Sequence, residues 1–312
     1  MKISEIANIL DYDYIGEDCD IVGIAYSNEA SERDIAVIRS KSEIPGVRSK
    51  VLLTRPILIP ISKTLIVTYD DIGYAINKIC DILIQRGLKC NYSLPVKFAK
   101  TNGDYYVGQK CNIANDTTIY PNVYIGNDVS IGHGCIIEPN VVIGSGTEIK
   151  DHVTIGSGSR IGADSFYHYY DELEIIHQFS GIGKTIIEEN VRIGCNCIVQ
   201  RGTISNTYIS RDTVLGNGID VGHDVKLGKN CKVVSQTGIA GNVKVKDNVI
   251  IYGQVGISND VVVGKNVVVK AKTLVSKSIE DNKIVFGMYG REYDKELRIA
   301  SKLRREYGRK EE

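Results

Sequence analysis

From Thr207 to Ser276 an aliphatic residue returns at every sixth position: Ile209, Leu215, Val221, Leu227, Val233, Ile239, Val245, Ile251, Ile257, Val263, Val269 and Val275. An earlier series keeps the same step, running from Val107 through Ile113, Ile119, Ile125, Ile131, Ile137, Ile143, Ile149 and Ile155 to Ile161. Ile187, Ile193 and Val199 bridge the two. A helix repeats its apolar face every three to four residues and a half-buried strand every two. A six-residue period fits neither. It predicts a solenoid in which short strands alternate with turns, each strand placing one large aliphatic inward. Strand formers (Val, Ile, Thr) and turn formers (Gly, Asn, Asp) recur at fixed offsets, and the residue after each aliphatic is usually small, as in Ile125-Gly126 and Leu215-Gly216.

This period resembles the hexapeptide repeat of the left-handed parallel β-helix, in which three strands make a coil. Three six-residue steps give eighteen residues per coil. The left hand is implied by the resemblance, since parallel crossovers are ordinarily right-handed.

The period divides the chain. Residues 1–98 lack it and predict a small α/β domain. MKISEIANIL reads as a short amphipathic helix; DIVGIAYSNEA, DIAVIRS, KVLLTR and TLIVTY read as strands; DIGYAINKICDILIQRG reads as a helix stopped by Gly87. A linker with Pro95 and Gly103 leads into the β-helix, expected over 104–278. Two irregularities interrupt it. GADSFYHYYDELEIIHQFSGIGKT follows Ile161 with Phe166, Tyr167, Tyr169, Tyr170, His168 and His177, and long loops leaving a rigid repeat are commonly functional. We expect this insert to contact substrate or clasp a neighbour. The step from Val199 to Ile209 is ten residues, which predicts a bulge around Arg201-Gly202-Thr203 at one corner. Residues 279–312 form an exit and a basic helix carrying Arg298, Lys302, Arg304, Arg305, Arg309 and Lys310, with Leu297, Ala300 and Leu303 on one side.

Charge narrows the partners. Lysine and arginine total 38 against 38 aspartates and glutamates, so no global field favours nucleic acid. No run of eighteen apolar residues is present, and the N-terminal segment is acidic where a signal peptide is apolar, which predicts a cytoplasmic protein without an integral membrane segment. Four of the eight cysteines (Cys111, Cys135, Cys197 and Cys231) sit two residues before a period aliphatic, on the interior side of a strand. They read as reduced and structural; Cys195-Asn196-Cys197 is too tight for a zinc site.

Five histidines are candidates for chemistry: His133, His152, His168, His177 and His223. His223 lies two residues after Val221, at a corner where a side chain leaves the inner wall and points outward. One coil further lies Gly241 and another Asn259, followed by Asp260, so these residues stack along one edge of the prism. A histidine base, a backbone N–H able to hold an oxyanion and a polar groove are what acyl transfer to an amine or hydroxyl requires. His133 has the same offset after Ile131 and competes. His133 and His152 neighbour across a corner without a third partner in the period, so no metal site is expected.

Four stretches carry a family resemblance. The opening MKISEIANILDYDYIGEDCDIVGIAYSNEAS, the segment from GADSF through IGKTIIEENVRIGCNCIVQRGTI, the stretch LGNGIDVGHDVKLGKN, and the exit with its basic helix resemble the UDP-3-O-acylglucosamine N-acyltransferases. The resemblance implies a homotrimer, a nucleotide-sugar substrate bound with help from the N-terminal domain, and a phosphopantetheine thioester donor, on acyl carrier protein or CoA, with no permanently bound cofactor. It places the catalytic base on His223 and the oxyanion donor on the N–H of Gly241. Asp260 is a candidate to orient the incoming amine; Asn217, Asn259, Phe166 and His177 are candidate substrate contacts; Arg298, Lys302 and Arg305 are candidate carrier contacts. Three positions depart from the family pattern. Asp260 stands where a second histidine is expected, Val37 where an aromatic would stack on uracil, and Ser165 where GADGF has glycine. A catalytically inactive binding or scaffold relative, or an O-acyltransferase acting on another sugar, remains a second reading.

Overall fold

The computed structural model describes residues 1–56, 63–68, 71–90, 92, 96–101, 103–171, 173–179, 181–287 and 293–307. Pro95 of the linker and Arg309 and Lys310 of the basic tail lie outside them.

The N-terminal unit opens with helix α1 (Ile3–Leu10), which buries Ile3, Ile6, Ala7 and Leu10. Five strands follow or interleave: β1 (Asp13–Ile15), β2 (Gly23–Tyr26), β3 (Asp34–Val37), β4 (Val51–Thr54) and β5 (Thr64–Val67). They form one sheet in the order β1-β5-β4-β3-β2, parallel except for the β1–β5 pair. Helix α2 (Ile72–Gln85) covers one face, started by the Asp71 carboxylate accepting from Gly73 N–H. The short strand β1 buries none of its three residues, which is why hydrophobic patterning does not reveal it.

Between Tyr106 and Val285 the chain winds as a left-handed parallel β-helix, broken by the insert. Its three faces are sheets of ten, eight and nine strands, each strand pairing in parallel with those a coil away, except Ala99–Lys100, which joins the ten-stranded sheet antiparallel ahead of the first coil. Register is set by the period: Ile125 pairs with Ile143, Ile143 with Ile161, and Val221 with Ile239. Each two-residue strand, with the residue before it, delivers two inward side chains rather than one. Val141 and Ile143, Val225 and Leu227, and Cys231 and Val233 are all buried. Burying one such aliphatic is worth about 1.5–3 kcal/mol, and a one-residue slip would expose the whole set, so the repeat is strict. Cys135, Cys197 and Cys231 take interior positions, with Cys111 half-buried at the entry. Corners turn through a left-handed residue three positions after each aliphatic, commonly Asn or Asp: Asn140, Asp224, Asn242 and Asp260 have φ of 62°, 58°, 61° and 62°. Side chains at these positions also pair along an edge, as Asn230, Asn248, Asn266 and Asn282 do at 2.8–3.2 Å. The small residue after each aliphatic is a steric need: a Cβ on Gly144 would lie 2.1 Å from the Gly162 carbonyl oxygen one coil on.

The two irregular segments tie the β-helix to the N-terminal unit. The insert is a hairpin of strands His168–Tyr170 and Ile176–Gln178. Tyr167, Tyr169, Phe179 and Ile182 join the N-terminal core, and Asn77 Nδ2 donates to the Tyr169 hydroxyl at 3.0 Å. The segment expected to bulge outward is instead buried under that unit. Arg201 and Thr203 are 2% and 1% exposed, and Ile204 joins the same core. Extra residues at a corner are covered there because a second hydrophobic surface lies over them.

Helix α3 (Tyr293–Tyr307) leaves Leu297, Arg298, Lys302, Leu303 and Arg305 exposed. No helix among the described residues is long and apolar enough to cross a membrane.

Candidate active site

The edge that follows Val221, Ile239 and Ile257 divides two cavities. The residues two positions after each aliphatic (His223, Gly241 and Asn259) line a groove of ≈ 360 Å³ on the ten-stranded face. The residues three positions after (Asp224, Asn242 and Asp260) line a pocket of ≈ 460 Å³ between the β-helix and the N-terminal sheet. The chain reverses its side-chain direction across each left-handed turn, so adjacent residues serve different cavities.

The groove has a floor without side chains. Asp220, Gly238, Gly256 and Leu274 stand in register at the outward strand position, and the two glycines leave a channel between the Asp220 carboxyl and a 73% exposed Leu274. Phe166 lines the same groove and is 78% exposed. Burial pushes the Asp220 carboxyl above its ordinary value, opposed by the Gln200 amide, which donates to it at 3.5 Å.

His223 does not project freely from its corner. It is 6% exposed, with the Tyr167 ring edge-on at 5.5 Å. Its Nδ1 lies 2.8 Å from Asp224 Oδ2. Asp224 also accepts from Thr203 N–H, Ser205 N–H and the Thr203 hydroxyl, at 2.5–3.1 Å. A carboxylate surrounded by donors leaves the proton on Nδ1, so in the neutral ring Nε2 is the free acceptor. That nitrogen faces Gly241: a Cβ there would fall 2.4 Å from Nε2, so glycine is the residue that fits under the ring.

The Gly241 amide, like those of Ser235, Asp247, Gly253 and Asn259, is uncapped among the described residues, whereas several other amides at this turn position are capped. At the same turn position Asn127 N–H donates to Ser145 Oγ (3.1 Å), Asn217 N–H to Ser235 Oγ (3.0 Å) and Lys229 N–H to Asp247 Oδ1 (2.9 Å), each acceptor one coil on. Among the described residues no group accepts from Gly241 N–H. The corner therefore presents a proton-accepting nitrogen beside an uncapped backbone donor, the pairing that general-base catalysis with oxyanion stabilisation uses.

Other candidates are dispersed. Asn259 shares the groove with His223, whereas Asp260 faces the other pocket and pairs with Arg39 Nη1 at 2.7 Å. Asn217 sits at a different corner, accepting from Cys195 N–H at 2.9 Å. His177 is exposed on the hairpin, 2.7 Å from Asp171, and stacks on Tyr169. Val37 is fully buried, so no ligand meets it. The aromatic that does line the interdomain pocket is Tyr26, with the Arg39 guanidinium 4.5 Å above its ring. Tyr26, Arg39 and Thr203 lie off the period, and Asp224 sits on it at an ordinary corner position, so the sequence does not single them out. The one available signal for Asp224 was its place directly after His223.

A fold of stacked six-residue repeats with this corner defines a hexapeptide-repeat protein of the transferase type, and a family model described as bacterial transferase hexapeptide (six repeats) matches residues 134–166. The chain belongs to the UDP-3-O-acylglucosamine N-acyltransferase family: it is 36% identical over 248 residues to the Campylobacter lari member, covering 77% of this chain and 78% of that one. The match to the Sinorhizobium fredii member is 39% identical over 83 residues and spans 27% of this chain and 23% of that protein. Among solved structures, UDP-N-acetylglucosamine acyltransferase from Francisella novicida has a TM-score of 0.55 at 20% identity, covering 66% of this chain and 87% of that one. The O-acyltransferase from Moraxella catarrhalis has a TM-score of 0.55 at 22% identity, over 64% and 78%. At these identities the structural likeness speaks for the β-helix alone.

Proposed function

We propose that the protein is an N-acyltransferase that moves an acyl group from a phosphopantetheine thioester to the amine of a nucleotide-linked amino sugar. His223 Nε2 takes the proton of the attacking amine while a C–N bond forms at the thioester carbonyl, and Gly241 N–H donates to the resulting oxyanion. Collapse breaks the C–S bond, and the proton held on His223 passes to the departing thiolate. The observation that carries this reading is the juxtaposition of the free Nε2 and the uncapped Gly241 amide in one groove. The name of the family supports an amine acceptor on a nucleotide sugar.

The nucleotide is assigned to the interdomain pocket, where Arg39, Lys244 and Asn242 offer donors to an anionic ligand. In this reading residues 1–98 hold the nucleotide, 104–278 carry the chemistry, and 279–312 receive the donor. Arg298, Lys302 and Arg305 on exposed α3 suit an acidic acyl carrier protein, and CoA is the alternative carrier. A homotrimer would close the groove against a neighbour. Asp260 serves as the anchor of Arg39, and no role in orienting the amine is given to it.

The test is transfer from a panel of acyl carriers and acyl-CoAs to UDP- and dTDP-linked amino sugars, read by mass spectrometry. Acyl transfer to a sugar amine that is lost in His223→Ala supports the reading. A product on UDP-3-O-acylglucosamine makes this a lipid A enzyme, and a product on another amino sugar places it in surface-glycan synthesis. Transfer to a hydroxyl alone, or no transfer, overturns the N-acyltransferase reading in favour of an O-acyltransferase or a binding relative.

A further inference from the structure

A buried chain of hydrogen bonds crosses the ridge between the two cavities. It begins at Tyr26, the last residue of β2, whose hydroxyl lies 3.0 Å from Thr203 Oγ1. Thr203 Oγ1 lies 2.5 Å from Asp224 Oδ2, and Asp224 Oδ2 lies 2.8 Å from His223 Nδ1. Proton bookkeeping fixes the direction. The Asp224 carboxylate only accepts, so the single Thr203 hydroxyl proton points to it, and the Tyr26 hydroxyl must donate to Thr203. Burial and the nearby Asp224 charge push the Tyr26 phenol far above its ordinary value, which keeps that donor protonated.

We propose that Tyr26 and Thr203 are positioning residues through which the N-terminal sheet holds Asp224, and thereby the tautomer and orientation of His223. The N-terminal unit is then a working part of the reaction centre and not only a handle for the nucleotide. Three observations support this. Every group in the chain is buried, so water does not compete for the bonds. The ten-residue step from Val199 to Ile209 puts Thr203 and Ser205 where their amides also donate to Asp224. Finally, Tyr26 forms part of the pocket wall beneath Arg39, so the chain starts at a ligand-facing surface.

The inference rests on His223 as the base, and its test separates the two. Thr203→Val removes the hydroxyl at nearly constant shape, Thr203→Ser restores it, and Tyr26→Phe removes only the outer donor. Loss of one hydrogen bond to a charged group predicts a fall in kcat of about ten- to hundredfold for Thr203→Val, with KM little changed. Thr203→Ser should recover most of that loss, and Tyr26→Phe should show a smaller fall of the same kind. The ¹⁵N resonances of His223 in the full-length protein report the tautomer without any turnover. They should move toward a mixed tautomer in Thr203→Val and return in Thr203→Ser. Unchanged His223 resonances in folded Thr203→Val overturn the relay whatever the activity. Shifted resonances in a protein whose His223→Ala variant still turns over uphold the relay and defeat the base assignment. A fall in activity that Thr203→Ser does not recover counts against positioning by the hydroxyl and for a packing role of the threonine side chain.

Discussion

His133 and His223 occupy the same place in the repeat, two residues after a buried isoleucine or valine, and each has Nδ1 about 3 Å from an aspartate: 3.0 Å to Asp116 and 2.8 Å to Asp224. Their surroundings differ entirely. The His133 and Asp116 side chains are 70% and 59% exposed, so the pair is solvated and contributes little. The His223 and Asp224 side chains are 8% and 1% exposed, and three further donors hold the carboxylate. What distinguishes the two corners is what covers them. The insert hairpin lays Tyr167 over His223, and β2 brings Tyr26 to the segment beneath it. A regular solenoid offers the same corner many times; an irregular segment and a second unit turn one of them into a site.

The largest effect expected is at this contrast. His223→Ala should lower transfer about 10²–10⁴-fold, the usual worth of a general base, with the melting temperature little changed. His133→Ala, at the identical offset, should leave kcat and KM at wild-type values. Equal losses in both variants would mean that the repeat position, and not its covering, carries the function.

Gly241→Ala comes next. The added methyl would enter the space of the His223 ring, 2.4 Å from Nε2, and either the ring or the corner must move. An oxyanion donor is typically worth about 10²–10³-fold in kcat, and a displaced base adds to that. Circular dichroism and steady-state kinetics read together check it. Full activity in a folded Gly241→Ala protein would remove both the amide and the ring geometry from the mechanism.

Arg39→Ala sharpens the division between the two cavities. Its ion pair with Asp260 is partly exposed, with side chains at 35% and 58%, so its own stabilising worth is about 0.2–1 kcal/mol. If the interdomain pocket holds the nucleotide, the loss appears mainly as a raised acceptor KM, while donor KM stays constant. A fall in kcat alone would place Arg39 in the chemistry of the groove instead.

The same contrast explains what the sequence could and could not disclose. Period fixes the inward aliphatic of each regular strand between Ile125 and Val275, outside the insert and the ten-residue step, because that face of the strand is buried in the prism. It also stacks His223, Gly241 and Asn259, since one coil is a constant number of residues. It says nothing of Tyr26, which meets Thr203 across 177 residues of chain, or of Arg39, which meets Asp260 across 221. Such contacts arise from the docking of two units and leave no periodic trace. The step of ten residues after Val199 marks the place of contact, but an extra loop on a bare prism bulges outward and only a covering surface buries it. Rung count groups Asp260 with His223, but the left-handed turn at Asp260 sends its side chain to the other cavity.

The smallest effect concerns the groove floor. Burial holds the Asp220 carboxyl above its ordinary value of 3.8, so the folded state binds a proton more tightly there than the unfolded chain does. The sign follows from linkage. As pH rises through the unfolded carboxyl value toward the raised folded one, the unfolded state loses its proton first, and this group's contribution to stability falls. Above the folded value the penalty is constant. Asp220→Asn has no such titration, so the melting temperature of the variant minus that of the wild type should increase as pH is taken upward from about 3, then level off. The exposed corner gives the opposite sign: burial raises the Asp116 carboxyl slightly, but the His133 ring and nearby amides outweigh it and hold it below its ordinary value, so the Asp116→Asn difference should fall as pH rises. A difference for Asp220→Asn that stays flat with pH would show the carboxyl to be as well solvated as those at the bare corners. The glycine floor would then be an open surface and not the walled channel that acyl transfer in this groove requires.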